Sequence, residues 1–409
     1  MSGERQRIIP IASESQVKQR HMRDSGQRLT ALPPLSLYVH VPWCIKKCPY
    51  CDFNSHEAPA SVPEADYLAA LTQDIDQALP LIWGRQIHTV FIGGGTPSLM
   101  SEGAIDQLLA TIRARLALWP DAEITLEANP GAAEAHRFKA YAQSGINRLS
   151  LGIQSFNDQQ LVRLGRAHDA RQARQAIDMA CAAVARVNLD LMYGLPDQTL
   201  AQCQADLTEA VGFGTEHLSL YQLTLEPQTV FAKYPPTLPD ESVIEEMEQA
   251  IEHQVVQAGW QRYEVSAYAK PGAQCRHNLN YWTFGDYLGV GPGAHSKLSF
   301  PDRIIRQART RNPQQWMQAA MRVDESHITE QRELTDEDLP FEFFLNALRL
   351  QHGVPVSLFH EHTGVLLADV QPMIERAVDK KLLTVSAGVI APTPLGWRHL
   401  NELQTVFLS

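Results

Sequence analysis

The run Leu35-Ser-Leu-Tyr-Val-His-Val41-Pro-Trp-Cys44-Ile-Lys-Lys-Cys48-Pro-Tyr-Cys51-Asp-Phe53 sets a strand-like stretch directly before three cysteines spaced C-x3-C-x2-C. Soft thiolates select iron–sulfur clusters. A cubane [4Fe–4S] cluster normally takes four thiolates, one per iron. Three local thiolates therefore hold three irons and leave the fourth open to an outside chelate, for which the amino and carboxylate groups of S-adenosylmethionine (SAM) are the candidates. The competing reading is a structural Cys3His zinc site completed by His40 or His56. Zinc ligands more often come as two separated pairs, which weighs against it. The remaining cysteines, Cys181, Cys203 and Cys275, are scattered, unlike a disulfide framework, and fit a reducing cytoplasm.

The rest of the chain has the composition of a protein with a large core. It holds 409 residues, 44% hydrophobic and 20% charged, with a formal net charge of −11. That acidity lacks the basic footprint of a protein that binds nucleic acid through phosphates. No apolar run reaches the ~18 residues of a membrane span. The first thirty residues carry six Lys/Arg against three Asp/Glu and no apolar core, so they do not read as a secretory signal. Residues 1–34 are expected to be a polar extension.

From residue 35 onward, short β-branched runs alternate with longer amphipathic stretches, the pattern of an α/β fold. Strands are expected at Leu35–Val41, His88–Ile92, Glu123–Ala128, Arg148–Ile153, Arg186–Met192 and His217–Leu223, with a weaker one at Arg262–Ala267. Leu68, Leu71, Ile75 and Leu79 recur at helical spacing and predict a helix over Ala65–Leu79. Helices between strands impose parallel crossovers. Six such units suggest a full or partial (β/α) barrel, whose chemistry gathers at the carboxyl ends of the strands. The polar groups fall there: the cysteine loop after the first strand, Gly93-Gly94-Gly95-Thr96-Pro97 after the second, then Glu127 and Asn129, Gln154 and Ser155, and Asp190. The glycine run by itself reads either as a ligand cradle or as a tight strand-to-helix turn.

Together these residues resemble the radical-SAM superfamily, in the branch that holds oxygen-independent coproporphyrinogen III dehydrogenase (oxidase) and the related heme chaperones. The resemblance spans roughly residues 35 to 400. It implies a partial (β/α)6 TIM-like barrel within residues 35–325 and a small C-terminal helical, winged-helix-like domain over 326–409. It also implies roles residue by residue. Cys44, Cys48 and Cys51 match the cluster ligands. Tyr38 and Tyr50 match contacts near SAM, and Gly94, Gly95 and Thr96 match the turn that receives its methionine end. Glu127 matches a SAM-contacting carboxylate. Gln154, Arg166 and Asp190, with Thr224 as a weaker match, correspond to a second SAM position in the dehydrogenase. Arg166 by its chemistry alone is either a carboxylate-binding fork or a solvated helix-end cation.

Two departures choose between the branches. The dehydrogenase pattern continues past the third cysteine with Gly-Cys, whereas Asp52-Phe53 stands here, so coproporphyrinogen III dehydrogenase activity is not expected. Cys275-Arg-His277-Asn278-Leu-Asn-Tyr281-Trp282 resembles the HNxxYW motif of the heme chaperones. Imidazole is a common axial ligand of heme iron. His277 is thus the first candidate to bind heme, with His295 and His40 behind it. The alternative is that His277-Asn278 caps a turn and the aromatics fill core. The expected function is a heme chaperone that binds a [4Fe–4S] cluster, SAM and heme and passes heme to an acceptor protein, of which a membrane respiratory protein is one candidate. A radical-SAM oxidoreductase acting on a porphyrinogen is the alternative.

Toward the C-terminus, Thr335 followed by acids starts a helix expected over Phe341–Leu350. Further helices are expected over Val356–His360 and Val370–Lys381, and a hairpin from Leu382–Val385 and Val389–Ala391. Helices followed by a hairpin suggest a winged-helix-like module. The acidic balance argues against DNA as its ligand.

Overall fold

The computed structural model describes residues 28–82, 84–131 and 135–408. Of the expected extension, residues 1–27 lie outside that range. At its described end, Leu29 is buried in the core of the C-terminal helices, its amide donates to the Pro301 carbonyl at 2.9 Å, and Arg28 pairs with Asp336.

Six parallel strands alternate with helices: β1 (Leu35–Val41), β2 (Ile87–Gly94), β3 (Leu118–Ala128), β4 (Arg148–Gln154), β5 (Arg186–Tyr193) and β6 (His217–Gln222). They lie side by side in chain order, each paired in parallel with the next. The helix expected over Ala65–Leu79 runs over Glu64–Ile82, and its Leu68, Leu71 and Ile75 join Val90, Ile92 and Leu126 in the main core.

The sheet is larger than six strands and does not close. Asp286–Val290 pairs in parallel with the free edge of β1, and antiparallel strands His295–Ser299, Ile304–Arg309 and Ile328–Glu333 extend that side. The segment expected as a strand at Arg262–Ala267 is instead a hairpin. Gln261–Arg262 folds back on Ala267–Ala269, which runs antiparallel to β6. A partial barrel with antiparallel strands at both ends is the result.

Side chains alternate across a strand, and here the alternation divides polar from apolar. Leu149, Leu151 and Ile153 of β4 are fully buried on the helix side, while Arg148, Ser150, Gly152 and Gln154 line a cavity on the other. Val187, Leu189 and Leu191 alternate with Asn188, Asp190 and Met192 on β5 in the same way. A parallel sheet covered by apolar layers on both faces reads as continuous hydrophobic runs. The alternation therefore marks an inner face that holds polar groups.

The C-terminal module carries helices at Asp338–Ala347, Val356–Thr363 and Leu367–Asp379, and a hairpin of Leu383–Ser386 with Val389–Pro392 joined by Val354–Pro355. It packs against the segment that follows the barrel. Phe284 meets Phe343 edge-on at 5.7 Å, Arg349 lies over the Trp282 ring at 4.4 Å, and His362 Nδ1 bonds the Thr283 carbonyl at 2.7 Å.

Candidate functional site

The cysteine loop leaves β1 at its carboxyl end and is pinned to the turn after β2. Gly95 N donates to Val41 O and Thr96 N to Trp43 O, both at 2.7 Å. The backbones meet so closely that a Cβ at Gly95 would sit 2.6 Å from Trp43 O. Only glycine permits that approach. Downstream, Asn54 locks the loop's other end, with Nδ2 donating to Pro292 O and Arg311 O, both at 2.9 Å.

All three cysteines are unpaired and partly exposed, and they line one cavity of about 450 Å³. The same cavity is lined by Tyr50, Gly94, Gly95, Thr96, Glu127, Gln154, Arg166, Asp190 and Thr224. Among the described residues no three His, Cys, Asp or Glu side chains converge as they would around a single ion. A cubane asks for something else: three thiolates on three separate irons, with room between them. Three free thiols facing one cavity fit that demand, and the glycine turn beside them leaves space for a ligand on the fourth iron.

The remaining walls supply charge. Glu127 accepts from Gly94 N at 3.0 Å. Burial, reinforced by Asp190, pushes its carboxyl up to about 7, so near neutrality it readily exchanges a proton. Burial likewise raises Asp190, which accepts from Asn188 Nδ2 at 2.8 Å and Ser150 Oγ at 3.1 Å. Arg166 donates through Nη2 to Asn129 Oδ1 and Gly152 O, both at 2.7 Å, while Nη1 lies 3.6 Å from Cys48 Sγ and 3.5 Å from Tyr50 OH. Its Nε is buried with no hydrogen-bond partner among the described residues. Arg166 is thus an inward-facing cation at the cysteine loop, not a solvated helix end. Gln154 takes φ +68° where the pairing of β4 with β5 slips by one residue. A left-handed glutamine is uncommon and concentrates at functional sites.

The chain matches the Radical SAM superfamily over residues 38–210 and the HemN C-terminal domain over residues 334–399. It is 47% identical over 383 residues to the heme chaperone HemW of Escherichia coli strain K12, a match that covers 93% of this chain and all of that protein. The chain belongs to the HemW family. The HemW of Haemophilus influenzae is 46% identical, with 92% of this chain and 99% of that protein covered. In fold, the chain is similar to a solved structure of coproporphyrinogen III oxidase (HemN) from Escherichia coli, a radical SAM enzyme, with a TM-score of 0.78 and 24% identity over 92% of this chain and 91% of that one. Radical SAM membership implies a [4Fe–4S] cluster and SAM as cofactors.

Within this HemW-family chain, two of the expected residues stand apart from the cysteine cavity. Tyr38 lines a neighbouring cavity, and its hydroxyl lies 3.0 Å from His40 Nδ1. His277 is 1% exposed, with Nδ1 2.7 Å from Thr89 Oγ1 and Nε2 2.9 Å from Tyr281 OH. Both ring nitrogens are engaged, so binding iron would require breaking one of these bonds. Burial lowers its imidazole to about 3 and keeps it neutral. His277 lies within the helix Arg276–Trp282 rather than capping a turn, its ring against Phe91 and Tyr281, while Tyr281 and Trp282 are only half-buried.

The sequence reading missed Arg148, which is 2% exposed yet lines the cysteine cavity beside Ser150 and Asn188. The signal was present: a charged residue in register with the polar positions of an otherwise apolar strand, Arg148-Leu-Ser-Leu-Gly-Ile153.

Proposed function

We propose that the chain is a heme chaperone that carries a [4Fe–4S] cluster on Cys44, Cys48 and Cys51, binds SAM in the adjoining cavity, and delivers heme to an acceptor protein. The observation that carries this reading is the gathering of three free thiols, the Gly94–Thr96 turn, Glu127, Arg166 and Asp190 around one cavity, in a chain 47% identical to a heme chaperone along its length. When bound, the cluster would supply a one-electron donor and an iron with an open position. Glu127 and Asp190 are placed to accept from an ammonium or from ribose hydroxyls, and Arg166 keeps positive charge beside the thiolates. Asp52, Phe53 and Ser55 of the loop after Cys51 also line the cavity.

A porphyrinogen oxidoreductase uses the same parts, and Asp52-Phe53 in place of Gly-Cys is what separates the readings. The test is anaerobic reconstitution with iron and sulfide, followed by titrations with SAM and with heme and by incubation with coproporphyrinogen III. A SAM-sensitive cluster EPR signal with saturable heme binding and no decarboxylation is the expected result. Decarboxylation on each turnover would overturn it.

A further inference from the structure

A second cavity, of about 580 Å³, lies across Gly94 and Glu127 from the cysteine cavity, at the seam between the extended sheet and the C-terminal module. Phe53, Gly94 and Glu127 line both cavities. Its walls are aromatic and cationic: Tyr281, Trp282 and Tyr287 with Arg306 and Arg311. Clefts at domain seams lined by aromatics with a few convergent polar groups are where small ligands bind.

Two histidines line this cavity, and they differ. His40 is buried and committed, with Nδ1 to Tyr38 OH at 3.0 Å and Nε2 to Asn54 O at 2.9 Å. His295 is exposed, and its ring has no hydrogen-bond partner among the described residues. It opens the strand His295–Ser299 after the tight Gly289–Ala294 reversal, where a Cβ at Gly293 would collide with Asn54 Nδ2. The cations differ too. Arg306 is held by Tyr287 OH at 2.6 Å and by Glu342, whereas the exposed Arg311 guanidinium has no ion pair among the described residues. One free imidazole, one free guanidinium and flat aromatic walls match a planar metallomacrocycle with an open axial position and acidic side arms.

We propose that heme is bound in this second cavity, with His295 as the axial ligand, Arg311 paired with a propionate, and Tyr281, Trp282 and Tyr287 against the macrocycle. The assignment rests on the heme-chaperone reading above and moves the ligand from His277, whose nitrogens are both engaged. Neutral imidazole is a regular heme ligand, and guanidinium suits a carboxylate through paired N–H bonds. The site adjoins the cluster loop through Asn54, which lines the same cavity and donates to the Pro292 and Arg311 carbonyls.

The test is heme titration of the reconstituted full chain and its His295→Ala, His295→Met, Arg311→Glu and His277→Ala variants, read by the Soret band and by low-temperature EPR of the ferric state. His295→Ala is expected to weaken binding by roughly 10–100-fold or more, since even outer partners of metal ligands are worth that much. His295→Met should change the ligand field while the cluster spectrum stays as in the parent, a shift that loss of packing would not produce. Arg311→Glu should weaken binding with the ligand field unchanged. Parent-like spectra and affinity in both His295 variants would overturn the site while leaving the chaperone reading intact. Failure of the parent itself to bind heme would overturn that reading instead.

Discussion

Replacing His277 with alanine is expected to cost stability in a pH-dependent way. Two buried bonds are lost, at 2.7 Å to Thr89 and 2.9 Å to Tyr281, together with ring contacts at 5.1 Å to Phe91 and 4.8 Å to Tyr281. Each bond contributes about 1 kcal/mol net, and the vacated ring adds about 2 kcal/mol by comparison with other buried truncations, about 4 kcal/mol together. Acid changes this gap. His277 has its imidazole lowered from 6.5 to about 3 in the folded chain, because burial and nearby Arg148 disfavour the cation. Above about pH 6.5 both folded and unfolded forms are neutral, and the histidine's contribution is complete. Below that, the unfolded chain takes up a proton that the folded chain refuses, so stability falls as pH falls from 6.5 toward 3. At about pH 5 the loss is on the order of 2 kcal/mol, from about 1.5 pH units at 1.36 kcal/mol each. The alanine variant lacks this titration, so its deficit should shrink from about 4 to about 2 kcal/mol between about pH 7.5 and pH 5. Paired urea titrations of parent and variant, followed by circular dichroism, read that difference, in which other buried histidines cancel. A gap that stays constant with pH would refute the reasoning. So would a variant of parental stability with an altered heme spectrum, which would return His277 to the iron.

Two further substitutions probe the cysteine cavity. Gly95→Ala forces a Cβ against Trp43 O and, at 2.9 Å, Pro42 C; these are backbone atoms that cannot swing aside. The expected cost is about 1–3 kcal/mol, with iron per chain after reconstitution well below the parent; parental iron content would show that this close approach does not seat the loop. Arg166→Met leaves Asn129 Oδ1 and Gly152 O without their 2.7 Å donor. SAM affinity, measured by equilibrium dialysis of reconstituted protein, should fall and should not be rescued by Arg166→Lys, because an ammonium lacks the planar fork; full rescue would refute a geometric role.

Much of the α/β core was legible because two periods are written in the residues. Five of the six parallel strands start within one residue of their expected positions; β3 begins earlier, at Leu118. Pairing between distant segments was not legible. Asp286–Val290 joins β1 through backbone bonds that any non-proline sequence can make, and nothing local names the partner. The segment at Arg262–Ala267 shows the same limit: its β-branched and aromatic content signalled strand, and the hairpin emerged only from the fit against β6.

By itself, the sequence determined the cysteine triplet, the glycine turn and the alternation of polar with apolar positions along β4 and β5, because spacing along a regular backbone fixes which side chains share a face. Only the tertiary structure decided which of those groups meet and which are already spent. Arg166 and Cys48 are far apart in the chain and neighbours in the cavity. His277 stands in the most suggestive motif of the C-terminal half, yet Thr89, from a distant strand, takes one nitrogen and Tyr281 the other, while among the described residues both nitrogens of His295 stay free. A side chain's chemistry is set by its residue type, but its availability depends on partners that only folding brings within hydrogen-bond reach.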